Sequence, residues 1–558
     1  MKLKALKPRL HNAMFHTHTV SGIVISFALF ICFYCGAVAL FLDELHQWEN
    51  PESRIELVEA STVDYDAIID KISNRIPDFN VTGQFGIVPP KKSNPLVWFY
   101  GSTKDEEGTV ERFTATIDPN TYEVLSIGKE PKTHMGRTIY ELHFFHQIPV
   151  IGIYLSGLVA FFFLFAIVTG LLTHWKNIVN RFYSLTVEGK WKQIWTNSHI
   201  SLGFIALPFQ MIYAVTGALL GLSILLLAPS AFLLFDGDTS QVIKAVVPAA
   251  AIKYDEDAAF VENDGIGFNS VFQEVNSGYP ENEVTYIYAN NFGKEDGTIT
   301  VRVDDHTGIS GDGTFVYGYK DGELVGAIEP VTKSYSEGAY NVLIKLHYVT
   351  YGGIFLKIIY FILAMITCYI IMSGVMIWRT ARDNKKYTDK QRRFHHRVTK
   401  VYLAITLSLF PALALIFLAN KAVPLDLEDR VFYVNSIFFS GWLVLTIIGL
   451  FWNNYRKLNR NYVFLGSLFG LLIPIANGWV TGDWIWKAIA DKQHFVYSVD
   501  ITWLVIGISG LLISRYYLTP RAKVDKPHET KRKVELIPEK PIIREEPQPV
   551  LQSISKTE

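Results

Sequence analysis

Val20-Ser21-Gly22-Ile23-Val24-Ile25-Ser26-Phe27-Ala28-Leu29-Phe30 opens a run of 23 residues, Val20 to Leu42, that contains no charge. At about 1.5 Å of rise per helical residue, such a run spans the roughly 30 Å hydrocarbon core of a bilayer. Uncharged runs of similar kind recur at Ile148 to Thr173, Ile200 to Phe235, Ile358 to Trp378, Val401 to Asn420, Val431 to Trp452 and Tyr462 to Val480. A last one, Phe495 to Ser514, holds a single acid, Asp500. The pattern predicts an α-helical polytopic membrane protein of about eight transmembrane helices. With 49% hydrophobic and only 19% charged residues, the chain does not read as an ordinary soluble enzyme.

Orientation follows from Lys and Arg in the short connections. Lys2, Lys4, Lys7 and Arg9 precede the first run, Lys176, Arg181, Lys190 and Lys192 follow the second, and a dense cluster from Arg379 to Lys400 follows the fourth. These three segments are expected to face the cytoplasm of a bacterium, with the protein in the inner membrane and both ends inside. No small-residue cleavage site follows the basic start, so Val20 to Leu42 reads as a retained anchor.

The chain then divides as follows: 1–42, a cytoplasmic start and first span; 43–147, a soluble insertion; 148–235, the second and third spans; 236–346, another insertion; 347–380, the fourth span; 381–516, a basic loop and four further spans; 517–558, a charged, proline-containing tail expected to be disordered. Both insertions are acidic, with 18 acids against 10 bases in the first and 19 against 7 in the second. Each reads as a small α+β module outside the cytoplasm. The first has a helix over Tyr65 to Arg75 and closes on Thr114 to Leu125 around Asp118. The second has a weaker helical stretch from Ala259 and closes on Ile299 to Gly308 around Asp304.

The membrane part repeats. His18 is followed by Gly22 and Gly36, and His199 by Gly203 and Gly217, at the same spacings of 4 and 18. Leu142-His143 precedes Gly170 by 27 residues, and Leu346-His347 precedes Gly374 by 27. The unit is thus a His-led helix, an outer domain and a second His-led helix, occurring twice. On a helix, positions 4 and 18 share the histidine's face, and glycines there leave room for a flat group. By the topology, His18 and His199 lie at the cytoplasmic ends and His143 and His347 at the outer ends, one pair per leaflet. Facing helices that offer two imidazoles suit bis-histidine ligation of haem. The competing reading is that interfacial histidines and small residues only serve close helix packing.

His396 and His146 are second-choice ligands. His396 lacks the glycines at +4 and +18, and His146 aligns with Thr350 in the other repeat. His16, His174 and His494 are helix-end residues, His306 a surface residue, and Asp500 either a proton-relay acid or a solvated one. The three cysteines, Cys32, Cys35 and Cys368, lie inside apolar runs and read as core. No Gly-x-Gly-x-x-Gly after a strand, Walker loop or Cys-x-x-Cys-His occurs, and no nucleic-acid partner is expected.

The segments His18 to Gly22, Leu142-His143, His199 to Gly203 with Thr216-Gly217-Ala218, and Leu346-His347 through Ser373-Gly374 resemble the PepSY-associated transmembrane-helix family, from about residue 10 to 380. The four later spans depart from its core pattern. The resemblance implies PepSY-like outer modules, two b-type haems held by His18 with His199 and His143 with His347, and reduction of ferric siderophores or other ferric chelates. The electron donor would be a quinol or a cytoplasmic reductase, and lipids surround the spans. Two rivals stay open: a non-catalytic protein whose PepSY modules bind or regulate a periplasmic partner, and a quinone-linked cytochrome with a soluble acceptor.

Overall fold

A computed structural model describes residues 7–517, except 130, 187, 239–240, 243–251, 256, 263 and 307. The tail expected to be disordered lies outside the described residues from 518 onward. The first repeat runs through α1 (Pro8–Ala39), α2 (Leu42–Glu49), α3 (Tyr65–Arg75), β1 (Phe85–Val88), β2 (Val97–Lys104), β3 (Val110–Ile117), β4 (Val124–Gly128), α4 (Met135–His143) and α5 (Ile151–His174). After the short α6 (Ile178–Phe182), the second repeat has α7 (Trp191–Ile205), α8 (Leu207–Gly221), α9 (Ser223–Leu234), α10 (Phe268–Gly278), β5 (Glu283–Asn290), β6 (Thr298–Asp304), β7 (Gly313–Gly318), β8 (Leu324–Ile328), α11 (Tyr335–Tyr348) and α12 (Gly353–Arg382). Then come α13 (Asp389–Ala422), α14 (Arg430–Phe451), α15 (Tyr455–Thr481), α16 (Ile485–Ala490) and α17 (His494–Leu512).

Among the described residues seven helices, α1, α5, α12, α13, α14, α15 and α17, are long and apolar enough to cross a bilayer. The chain is a polytopic membrane protein. The third expected span, Ile200 to Phe235, is not one helix. It begins earlier, at Trp191, and bends by 71° between α7 and α8. Pro208, in the first turn of α8, has no N–H to continue the ladder of α7, and its ring crowds the preceding turn. Counting that bent pair as one span brings the total to eight.

The two modules between the spans share one antiparallel sheet, ordered β4-β3-β2-β1-β5-β6-β7-β8. The seam is β1 against β5, with Ile87 opposite Ile287, both fully buried. Two four-stranded meanders thereby cover each other's inner edge, which alone would expose unpaired backbone groups. On α10, Phe268, Val271, Phe272 and Val275 recur at the spacing of one helical face and bury against the sheet; α3 contributes Ile68, Ile69 and Ile72. Each such side chain is worth about 1.5–3 kcal/mol relative to exposure. The helices also cap one another. The Asp66 carboxylate of α3 accepts the Phe268 and Asn269 N–H groups at the start of α10, at 2.7 and 3.1 Å, and Asn269 Oδ1 accepts the Tyr65 N–H at 2.8 Å.

Two local expectations change. The helix of the second module starts at Phe268 rather than near Ala259, and its last hairpin is β7–β8, not Ile299 to Gly308. Asp304 to Gly313 is a long β6–β7 connection, equivalent by strand order to the Asp105–Gly108 turn between β2 and β3. The Asp-initiated sequence resembled the closing turn of the first module because both begin a turn with a short acceptor side chain.

The four later helices pack mainly on each other, and they meet the repeats through α1, α2, α4 and α12. A buried polar network makes that junction. Asp500 accepts the Trp48 Nε1–H at 2.8 Å and the Asn477 Nδ2–H at 2.9 Å. Lys421 Nζ donates to the Trp48 carbonyl at 2.5 Å and lies 4.0 Å from the centre of the Trp48 ring. Arg54 pairs with Asp483 at 2.6 Å. Glu49 accepts the Gly136 N–H of α4 at 3.0 Å, and burial raises its carboxyl to about 7. Asp500 is therefore a fully buried junction residue rather than a solvated interfacial acid.

Candidate haem-binding clefts

The four repeated histidines form two pairs. The ring centroids of His18 on α1 and His199 on α7 are 6.2 Å apart, and those of His143 on α4 and His347 on α11 are 6.0 Å apart. Each pair takes one histidine from each repeat. His143 and His347 do not lead the long helices that follow them. They end short helices, and the left-handed residues Phe145 and Val150 in one repeat, and Val349 and Gly352 in the other, turn the chain before α5 and α12 begin.

Every ring is oriented from behind by its own repeat. His18 Nδ1 lies 2.8 Å from the Ala166 carbonyl, His143 Nδ1 2.5 Å from that of Cys32, and His199 Nδ1 2.9 Å from that of Ile370. A carbonyl only accepts, so Nδ1 carries the proton in all three. His347 Nδ1 meets Thr216 Oγ1 at 2.9 Å, and that hydroxyl already donates to the Ile212 carbonyl at 2.7 Å, so it accepts from the imidazole. Nε2 is left as the lone-pair nitrogen on each of the four rings, and among the described residues no protein group bonds it. Burial keeps the His143 imidazole below its ordinary range and pushes that of His347 down to about 3, so both are neutral. A neutral imidazole with a fixed back-side hydrogen bond is the form that ligates a metal.

Glycines make the rings fit. A Cβ at Gly36 would stand 2.6 Å from His143 Nδ1, at Gly170 3.0 Å from His18 Cε1, at Gly374 3.2 Å from His199 Cε1, and at Gly217 3.9 Å from His347 Cε1. Gly36 thus packs on the imidazole of a neighbouring helix, rather than only extending the face of His18 as its spacing suggested, whereas a Cβ at Gly217 would first meet Ala160 Cβ, at 3.2 Å. For Gly217 the shared face does not exist, because the 71° bend separates it from His199. Gly22 and Gly203 differ: a Cβ at either would meet nothing within 4 Å. Both border a cleft of about 470 Å³ that reaches His18 and His199.

A second cleft, of about 960 Å³, opens beside His143 and His347 and extends to the sheet, where Glu283, Asp304 and His306 line it. Both volumes lie in the range of ligand pockets. Two metal–imidazole bonds of about 2 Å, plus about 1 Å from each nitrogen to its ring centre, would put the centroids of two imidazoles that share one metal about 6 Å apart. The observed separations match that distance. Among the described residues no group of three or more His, Cys, Asp or Glu is placed to hold a bare ion.

Residues 15–381 match the PepSY-associated TM region, about two thirds of the chain. The chain belongs to the PepSY-associated transmembrane family. A search of curated proteins finds no match. In this PepSY-associated protein the matched segment ends with α12, so both histidine pairs fall inside it and the four-helix bundle of α13, α14, α15 and α17 falls outside.

The second-choice ligands are elsewhere. His396 Nδ1 is 2.6 Å from the Tyr455 hydroxyl on α15. His146 is exposed beyond the end of α4, because the chain turns at Phe145 and does not continue the helical face of His143. His16 and His174 line the smaller cleft together with Arg382, and Arg137, Lys91 and Lys357 line the larger one. Sequence reasoning did not find Thr216 as the partner of His347. Its position immediately before the repeated Gly217 was the available signal, but its counterpart before Gly36 is Cys35, so the repeat did not single out a hydroxyl.

Proposed function

We propose that this protein is an inner-membrane haem b oxidoreductase that moves electrons across the membrane to reduce ferric iron, most suitably as a ferric siderophore or a similar ferric chelate, with the sheet on the periplasmic side. The observation that carries this reading is the pair of cross-repeat histidine couples, each about 6 Å between centroids, with all four Nδ1 protons committed to the protein. His18 and His199 would hold one haem, and His143 and His347 the other. When bound, haem supplies one-electron chemistry.

The chain's own residues supply the rest. The back-side carbonyls and Thr216 orient the ligands, the glycines let the helices close on them, and apolar side chains keep water from the interior. Leu29 and Phe163 border both clefts, and Phe33 packs on Phe163 at 5.4 Å, Phe209 at 6.1 Å and Tyr213 at 6.0 Å between them. Arg137, Lys91 and Lys357 are suited to carboxylates at the rim of the larger cleft. Electrons would enter at the His18 side from a quinol or a cytoplasmic reductase and leave at the His143 side. One electron converts Fe(III) to Fe(II), a weaker partner for hard oxygen ligands.

The first test is an oxidised-minus-reduced absorption spectrum with a haem-to-protein ratio on detergent-purified protein. A low-spin b-type spectrum with about two haems per chain supports the proposal. Haem-free protein from haem-replete cells would leave a partner-binding PepSY protein, and haem without oxidation by ferric chelates would favour a soluble acceptor.

Two variants probe the clefts. Gly22→Leu fills the open space beside His18 and is expected to lower occupancy of that site while the protein still elutes as a monodisperse species. Thr216→Val removes the acceptor behind His347 and is expected to weaken retention of the other haem by about 10–100-fold, the usual scale for such supporting bonds; competition with apomyoglobin reads the loss.

A further inference from the structure

The β6–β7 connection brings a histidine beside two carboxylates of β5 and β6 in the lining of the larger cleft. His306 Nε2 lies 2.5 Å from Glu283 Oε2 on β5, and His306 Nδ1 lies 3.3 Å from Asp304 Oδ2 at the end of β6. Nε2 is hydrogen-bonded to the Glu283 carboxylate and Nδ1 lies at ion-pair distance from Asp304, an environment that favours the imidazolium. Its side chain is 52% exposed, so the ring is open to solvent protons while lining the cleft that reaches His143 and His347.

Lys345 ties described residues of the connection to α11. Lys345 of α11, 0% exposed, pairs with Asp304 at 2.9 Å and Asp312 at 2.7 Å, and donates to the Gly308 carbonyl at 3.0 Å and to the Asp305 carbonyl. It stands two residues before His347. One buried ammonium therefore ties the segment carrying His306 to the helix carrying a ligand of the outer site. The first repeat has Glu141 at the equivalent position, paired with Arg137 on its own helix, so this tie is confined to the second repeat.

Resting on the reductase reading above, we infer that His306, held by Glu283 and Asp304, is the proton donor to the iron-binding ligand as it is released in the larger cleft. One electron supplied through the His143–His347 site converts chelated Fe(III) to Fe(II). As an iron–oxygen bond breaks, one proton passes from the imidazolium to that anionic ligand oxygen. The neutral imidazole then regains a proton from the solvent on its open side. Protonating the oxygen prevents the same ligand from closing again on the metal.

The charged groups facing His306 are Glu283 on β5, Asp304 on β6 and Lys91 from the first repeat, with Asp312 and Lys345 acting behind Asp304. The Glu283 hydrogen bond is the strongest influence and, with the Asp304 charge, raises the imidazole above its ordinary range against partial burial and Lys91. The two carboxylates thus favour the charged ring, and its proton is lost as pH rises through that raised value.

Stopped-flow oxidation of the dithionite-reduced protein by a ferric trihydroxamate, followed at the haem bands from pH 5.5 to 9.5, tests this. In the wild type the rate should fall about tenfold or more across the alkaline limb. His306→Gln should be slow and flat with pH, yet bind the redox-inert gallium trihydroxamate as the wild type does. Glu283→Gln should keep the limb but move it to lower pH, because it removes the anion that holds the proton. A wild-type profile in His306→Gln, or a loss confined to gallium-chelate binding, would overturn the proton-donor role while leaving the reductase reading intact. A haem-free wild type would overturn both.

Discussion

His347→Ala and His143→Ala are each expected to reduce haem content from about two to about one per chain, and His18→Ala and His199→Ala to remove the other haem. The separation into two independent losses follows from the pairing, because each couple is closed by one imidazole from each repeat. Within a couple the second substitution should add little, whereas His18→Ala combined with His347→Ala should leave no haem. Pyridine haemochrome assay on monodisperse protein measures the ratio. Retention of both haems in all four single variants would refute the ligand assignment. His396→Ala, whose ring is occupied by Tyr455, is expected to keep both.

Asp500→Leu is expected to destabilise the protein by about 3–5 kcal/mol, the scale for removing one partner from a buried charge network. The carboxylate receives hydrogen bonds from Trp48 and Asn477, and it lies among the cations Lys421 and Arg54. Without it, two buried donors lose their acceptor and the positive charges lose an anion. Asp500→Asn keeps an acceptor of the same shape and should cost less. Thermal unfolding in detergent, read separately by haem bands and by tryptophan fluorescence, should show the bundle of α13 to α17 loosening from the repeats before haem is lost. Equal loss in the Leu and Asn variants would mean that the charge, which both remove, holds the junction and that the retained acceptor does not.

Much of this architecture was legible one residue at a time. Charge-free runs of bilayer length mark the spans because hydrocarbon excludes charge regardless of neighbours. Tyr65 to Arg75 reads as a helix and is one, capped by Asp64, since a local side chain decides where it starts. The repeat of His and Gly at fixed spacings pointed to the histidines that now stand in pairs. Where local reading failed, a neighbour had overridden it. The run from Ile200 to Phe235 is uniformly apolar, yet Pro208 bends it, and the Asp304 turn resembles the Asp118 turn although it occupies a different place in its meander.

The sequence by itself determined which segments can enter a bilayer, that the histidine-and-glycine pattern occurs twice, and which residues have no Cβ. These are properties of composition and spacing along one chain. Only the tertiary structure decided that each imidazole couple draws on both repeats, that the two meanders share a seam between β1 and β5, and that a distant carbonyl or hydroxyl fixes every Nδ1 proton. Those contacts join residues more than a hundred positions apart, and no local preference encodes them. They form because a buried polar atom must find a partner and a sheet edge must be covered, and in the folded chain the nearest one available belongs to another helix or another repeat.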